Sequence, residues 1–264
     1  MPIDEVMGLM LGVPGAQGAG AAWTPAKLSN VVCWLQRDTG LYQDVAATTP
    51  CASDGDPVAL WQDQSGNAKH FTQGTAGNRP TFRVNSFGGS AGVRFVTDDY
   101  LTGGTGWNFT SLFIAVLTKP NVDITSIEPR YGIIAIGSGI DDRHFLTFGG
   151  FINAFNRLVA YSDVGGDAEE SAYKSDIASG TKLVVFDTFT TSGTQVYINN
   201  VAQTVAQETT SPPLSASAEA RLGLRYGASF SDYLNGDIAE LVICSSVPST
   251  AELASLYAYF SENT

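Results

Sequence analysis

The stretch VVCWLQRDTGLYQD (residues 31–44) is followed, after a short Pro/Cys/Asp loop, by DGDPVALWQDQSGN (54–67), and its reading decides the fold. It has a distant partner in YLNGDIAELVI (233–243). Both stretches carry apolar and β-branched runs closed by Gly, Asn and Asp, which is the pattern of strands ending in tight turns. Strand-forming ends around a β-rich middle predict a closed sandwich whose first and last strands meet.

Working outward, strand-like runs are expected at residues 31–35, 58–61, 92–96, 112–117, 132–136, 145–148, 157–161, 183–189, 195–198, 221–225 and 238–244. Several alternate with period two. Others, such as LFIAVL (112–117) and LVVF (183–186), are apolar throughout and suit inner strands covered on both faces. Turn signals divide them at 65–67, 88–89, 103–104, 165–166, 199–200 and 235–236. No helical period intervenes, so a sandwich or barrel is expected rather than a parallel sheet. One helix is expected near the C-terminus. Ser249-Thr-Ala-Glu252 is a capping box, and Leu253, Leu256, Tyr257 and Phe260 follow at helical spacing. That helix is expected to cover one open end of the sandwich.

Composition narrows the functions. At 264 residues the chain can bury a large core as one all-β unit. Its charged fraction of 15% lies below the usual ~25%, leaving a surface rich in Ser, Thr, Asn, Gln and Gly. A formal net charge of -12 repels phosphate backbones and excludes nucleic acid as the expected partner. The three cysteines do not form a CxxC motif, and two histidines make a zinc site an unsuitable reading. Cys33 and Cys244 sit in apolar runs as small hydrophobes, with a Cys33–Cys51 bridge left open.

Residues 1–22 differ from the rest, being rich in Gly, Ala and Met and lacking basic residues. The apolar run there is too short and broken for membrane insertion, and no basic n-region marks a secretory signal. Gly-rich chain orders poorly by itself, so this arm is read as a docking or assembly segment. The expected domains are an arm at 1–22 and one β domain at 23–264.

The residues Trp34, Asp38, Gly40 and Tyr42, the segments DGDPV and WQDQSGN, the middle VYINN and the close YLNGDIAELVICSSVPSTAELASLYAYF resemble the concanavalin A-like lectin/glucanase superfamily. The resemblance runs from about residue 31 to 260 and is greatest for the laminin-G-like modules of bacterial and phage proteins. It implies an all-β, concanavalin A-like jelly-roll β-sandwich of two antiparallel sheets with a short C-terminal helix. One departure is Asn199-Asn200, where such modules usually carry Asn-Gly. Asn tolerates left-handed φ, so the hairpin is expected to survive. The resemblance also implies a phage virion setting, as an accessory or decoration protein. Its role there would be adhesion to surface glycans or reinforcement of the shell. The alternatives are a tail or fibre receptor-binding protein and a cellular carbohydrate-binding adhesin, with a glycoside hydrolase as the remote one. Expected partners are other virion proteins through residues 1–22 and cell-surface glycans, with the chain as a homo-oligomer, taken as a trimer.

Glucanases of that superfamily carry alternating carboxylates on one strand. No such motif occurs here: Glu169 and Glu170 are adjacent, and Glu240 stands alone between Ala239 and Leu241. The expectation is therefore no catalytic residue. Calcium is the implied cofactor, with Asp54, Asp56, Asp63 and Asn67 as candidate ligands and Asp98-Asp99 and Asp141-Asp142 as further oxygen pairs. The same Asp and Asn residues also build turns through their own side chains, so both readings stand. Glycan binding needs exposed rings beside polar loops. Trp107, in GGTGWNF, and Tyr226, Phe230 and Tyr233, in RYGASFSDYLNG, are the candidates, whereas Trp34 and Trp61 belong to the core.

Overall fold

Alternation within the apolar run at 112–117 divides its side chains between two separate cores. Leu112, Ile114 and Val116 join one buried cluster. Phe113, Ala115 and Leu117 join another. A strand with apolar residues on both faces must be covered twice, and the architecture follows from that requirement.

The structure is a computed structural model that describes residues 22–123, 131–139, 142–148, 158–164, 167–174, 177–190, 193–205, 214, 217–224 and 232–262. Its strands are β1 (Val31–Leu35), β2 (Leu41–Tyr42), β3 (Leu60–Trp61), β4 (Phe71–Thr72), β5 (Thr81–Arg83), β6 (Gly92–Phe95), β7 (Leu101–Thr105), β8 (Leu112–Pro120) and β9 (Tyr131–Gly139). They continue with β10 (Asp142–Phe148), β11 (Leu158–Val164), β12 (Asp167–Lys174), β13 (Leu183–Thr190), β14 (Gly193–Ile198), β15 (Val201–Ala202), β16 (Thr204–Val205), β17 (Glu219–Leu222) and β18 (Gly236–Cys244), and helix α1 (Thr250–Glu262) closes the chain.

These strands build two antiparallel sheets. The first runs β15-β14-β13-β8-β18-β6-β5, with β1 also paired to β18. The second runs β16-β12-β11-β10-β9-β17-β7-β4-β3-β2. The expected meeting of first and last strands is present: Leu35 pairs with Leu241 and Val31 with Cys244. The Asn199-Asn200 turn also holds. Both residues have positive φ, 49° and 64°, and Ile198 pairs with Val201 across it.

The larger core lies between the sheets. It takes Cys33, Leu35, Phe95, Ile114, Val116, Val185, Phe189 and Ile243 from the first sheet, and Trp61, Phe71, Leu101, Ile134, Leu146, Phe148 and Leu222 from the second. One polar pair crosses it: His144 Nε2 lies 2.6 Å from Asp187 Oδ2, both side chains being fully buried.

Helix α1 departs from expectation. Leu253, Leu256 and Phe260 pack on Trp34, Phe113, Phe186 and Val242, so the helix covers the outer face of the first sheet rather than an open end. The reason is the second apolar face of β8, β13 and β18, which needs a lid along its length. The capping box forms as read. Ser249 N–H and Oγ both donate to Glu252 Oε2, at 2.8 and 2.7 Å. Glu252 Oε1 accepts from Ser29 N and Oγ, at 3.0 and 3.1 Å, tying the helix to the segment before β1. Beneath the helix, Glu240 accepts from Trp34 Nε1, Tyr259 Oη and Arg37 Nε, each at 2.7 Å. Trp34 and Trp61 are both buried, as expected for core residues.

The cysteines are free thiols. Of the arm at 1–22, only Ala22 falls among the described residues. No described helix is long and apolar enough to cross a membrane.

Candidate functional site

The acidic loops come first, because calcium was the implied cofactor. Asp63 Oδ1 accepts from Trp34 N and Ser65 N, each at 2.8 Å, and its Oδ2 accepts from Ser65 Oγ at 2.8 Å and Lys69 N at 3.0 Å. Asn67 Nδ2 donates to Val31 O at 2.9 Å. Asp56 Oδ2 accepts from Ala52 N and Ser53 N, each at 2.8 Å, and these bonds hold its carboxyl below the usual range. Asp54 Oδ2 is paired with Arg83 Nη1 at 2.8 Å. Each side chain thus ties down its own turn or neighbour. Among the described residues no three His, Cys, Asp or Glu side chains gather where a metal ion could sit. Hard cations need several converging oxygens, so these four residues do not fit a calcium ion. Asp141 lies outside the described residues.

Trp107 is corrected by the structure. It is fully buried, packed on Phe71 at 5.7 Å between ring centroids, with Lys69 Nζ 5.2 Å above its ring. A platform for a sugar must face solvent, and this ring is core. The cause is the preceding Gly103-Gly104, read as a turn but lying inside β7. A Cβ on Gly103 would sit 2.9 Å from the Trp107 ring, and Gly104 has φ +66°. The pairing of β7 with β17 slips by one residue there, Glu219 facing Thr105 and Arg221 facing Thr102. The glycines therefore form a bulge that folds the indole inward.

That bulge sets up the site on the opposite face of the same strands. Leu101, Ala220 and Leu222 point into the core. By period two, Tyr100, Thr102, Glu219 and Arg221 point away from it. These four, with Leu224 and Tyr233, line a cavity of about 190 Å³. Leu224 and Tyr233 are paired across a β-bridge, which holds the Tyr233 ring beside the sheet. The Tyr100 and Tyr233 rings are 6.4 Å apart between centroids and tilted by 41°.

Between the rings lies a fixed polar floor. Arg221 Nη2 donates to Glu219 Oε2 at 2.9 Å, and Arg221 Nε to the same oxygen at 3.2 Å. Thr102 Oγ donates to Glu219 Oε1. Both side chains of the ion pair are 23% exposed, so they are held yet reachable. Burial raises the Tyr233 hydroxyl above its usual pKa, with Asp98 and Tyr100 adding to the shift and Arg221 opposing it. The Tyr233 phenol therefore stays neutral at ordinary pH and can donate or accept a hydrogen bond. Two rings flanking a carboxylate, a guanidinium and hydroxyls can stack on an apolar ring face while hydrogen-bonding groups at its edge.

Of the aromatic candidates, the structure brings Tyr233 to this cavity. Tyr226 and Phe230 lie outside the described residues. Tyr100, Thr102, Glu219 and Arg221 were not singled out from sequence, although the alternation in Glu-Ala-Arg-Leu at 219–222 carries their outward direction. Asp98 and Asp99, considered as cation ligands, serve a tight turn next to the cavity. Asp99 Oδ2 accepts from Val96 N at 2.9 Å, and burial raises its carboxyl to about 6.

No family model and no curated protein sequence matches the chain. Solved structures do resemble it in shape. Domain 4 of a GH43 extracellular arabinanase from Geobacillus stearothermophilus, in complex with arabinotriose, aligns over 88% of this chain and all of its own, with a TM-score of 0.50 and 14% identity. The binding domain of Paraclostridial Mosquitocidal Protein 1 aligns over 90% of this chain at a TM-score of 0.61 and 13% identity. The botulinum neurotoxin serotype D binding domain aligns over 88% at 0.60 and 12%. The chain spans about half the length of the two toxin domains, 53% and 51% respectively. At such identities the likeness is one of fold: a β-sandwich of two antiparallel sheets.

Proposed function

We propose that the chain is a non-enzymatic carbohydrate-binding module whose site is the Tyr100–Tyr233 cavity. The observation that carries the reading is the pair of tilted rings over the Glu219–Arg221 floor. Sugar rings present C–H faces that pack on aromatic rings, and hydroxyls that pair with carboxylate, guanidinium and hydroxyl groups. The arabinotriose held by the arabinanase domain, on the same sandwich, supports the same reading. A binding role is favoured over glycoside hydrolysis because, among the described residues lining the cavity, Glu219 is the one carboxylate, and it is paired with Arg221. Hydrolysis of that kind uses two carboxyl groups across the scissile bond.

The setting we propose is a phage virion, with the arm at 1–22 docking on other virion proteins and the sandwich displayed outward. This rests on the sequence resemblance described above. Deleting residues 1–22 should then leave the sandwich folded and stop incorporation into particles. Normal incorporation of the truncated chain would remove that setting.

The binding role is tested by a glycan array probed with the full chain and with Tyr233→Ala. Saturable binding lost in the variant supports the reading. A blank array, or binding indifferent to Tyr233→Ala, rejects it.

A further inference from the structure

The spacing of the two rings decides how a sugar could pack between them, and that spacing depends on what holds Tyr100. β7 begins at Leu101, so Tyr100 lies just before the strand. β4 pairs with β7 through Thr72 and Thr102. One residue further on, the backbone of Gln73 turns elsewhere: its N–H donates to Ala59 O at 2.8 Å, and its C=O accepts from Arg79 Nε at 3.1 Å. The β4–β7 ladder therefore stops short of Tyr100, and a side chain takes over. Gln73 Nε2 donates to Tyr100 O at 3.1 Å, while its Oε1 accepts from Thr75 N at 2.9 Å. Gln73 is 4% exposed, and a buried amide is costly unless its polar groups are bonded. A carbonyl at one end of that amide and an N–H at the other leave it a single orientation. The second backbone group of Tyr100 goes to the same segment, its N–H donating to Asn78 O at 3.2 Å. Asn78 Nδ2 adds a bond to Asp98 O at 2.7 Å. Arg79 closes the segment on itself, with Nη2 on Gly74 O and Nη1 on Gln43 O, each at 3.2 Å. Residues 73–79 thus form a bracket that carries both backbone polar groups of Tyr100.

We infer that Gln73 is a positioning residue of the site: with Asn78 it fixes the Tyr100 ring opposite Tyr233 before a sugar arrives, an assignment that rests on the carbohydrate reading above. Gln73 is not among the described residues lining the cavity and acts through the Tyr100 backbone. A wall held in place beforehand spares the cost of ordering it on binding. Without the Gln73 amide, Tyr100 O loses its donor, and the 6.4 Å separation of the rings is no longer fixed from that side.

The test compares the full chain with Gln73→Met, which keeps the length of the side chain without its amide, and with Asn78→Ala, a milder change at a half-buried residue. In the free protein, NOEs between the two tyrosine rings, assigned through Tyr100→Phe and Tyr233→Phe, should be present in the parent and weakened in Gln73→Met. Ligand-observed NMR titration with methyl glycosides of glucose, galactose, mannose and N-acetylglucosamine should then give Gln73→Met a Kd about threefold to tenfold weaker, as expected for the loss of one hydrogen bond's net contribution. Asn78→Ala should move both readouts in the same direction, and it decides the matter if Gln73→Met does not fold. Ser249→Ala is the control: it removes a cap of α1, on the other sheet, and should lower Tm while leaving Kd and the ring NOEs unchanged. Ring NOEs unmoved in the variants, or a Kd no weaker than that of Ser249→Ala, overturns the positioning role and leaves the carbohydrate reading standing. No binding of any of the four sugars by the parent overturns the carbohydrate reading and the role of Gln73 with it.

Discussion

The buried His144–Asp187 pair offers a sharp test of how the two sheets are joined. His144 comes from β10 in the second sheet and Asp187 from β13 in the first, and their hydrogen bond spans the core at 2.6 Å. The His144 ring also lies 4.5 Å from the Phe189 ring, while its Nδ1 and Asp187 Oδ1 have no partner among the described residues. In ionised form, a pair at this separation gains about 6 kcal/mol at an effective dielectric of about 20. Taking both groups out of water costs several kcal/mol per ion, so the pair as a whole adds little net stability. Breaking it is different. His144→Leu strands a buried carboxylate and should cost about 3–5 kcal/mol. Asp187→Val leaves an imidazole without its acceptor and should cost about 1–3 kcal/mol. The double replacement removes both polar groups and should return to within about 1 kcal/mol of the starting protein. Urea denaturation of the four proteins gives the coupling directly, and His144→Leu should melt roughly 10 °C lower, at about 2–4 °C per kcal/mol for a chain of this size. If the double variant loses the sum of the two single losses to within about 0.5 kcal/mol, the residues act independently and the account is wrong.

Other outcomes follow from groups described above. The Glu252 carboxyl is held down to about 2, chiefly by the Ser249 hydroxyl and then by the Ser29 and Ser249 amides. Its folded pKa is depressed, so its contribution is present above the unfolded value near 4.5 and is lost as pH falls toward 2. Glu252→Gln should flatten the acid limb of the melting curve in that window, and an unchanged limb would contradict the capping role. Asp99 is displaced the other way, to about 6 by burial. Its ionisation opposes folding, and the penalty is absent below the unfolded pKa and grows up to about 6. Asp99→Asn should therefore raise Tm at pH 7, with the gain fading by pH 4, provided the Val96 amide bond is kept. A constant gain at all pH values would rule out titration as the cause. Because Asp54, Asp56, Asp63 and Asn67 are engaged by protein groups, excess EDTA should leave Tm unchanged. A clear drop would restore calcium as a structural ion.

Local chemistry was legible in the sequence, and of the distant pairings the meeting of the first and last strands was, while those that build the cavity were not. β1 was expected at 31–35 and is found there, since an apolar run between polar turns fixes both its ends. The capping box and the Asn199-Asn200 turn were readable because each depends on a few adjacent residues. β12 escaped notice because DAEESAYK has no apolar period. The all-apolar run at 112–117 announced burial on two faces without showing that α1 supplies the second cover. Gly103-Gly104 signals a turn and a bulge equally well, and taking it as a turn put Trp107 outside. The floor of the cavity needs Thr102 beside Arg221, a neighbour relation set by the β7–β17 register across more than a hundred residues. Alternation shows which side chains point outward, but only the pairing shows which of them meet.

The position of β18 has a consequence for how the chain is made. It is the seam of the first sheet, with β8 on one side and β1 and β6 on the other. On a ribosome, β8 is complete at Pro120 but waits for Gly236 to emerge before its neighbour exists. At roughly 5–20 residues per second, that interval is on the order of 6–23 s. Throughout it, β8, apolar on both faces from Leu112 to Leu117, has an open edge where β18 will pair, the condition under which chains associate with one another. The same late closure delays the first sheet as a whole: a chain halted before β18 holds β8 and β6 without the strand that joins them.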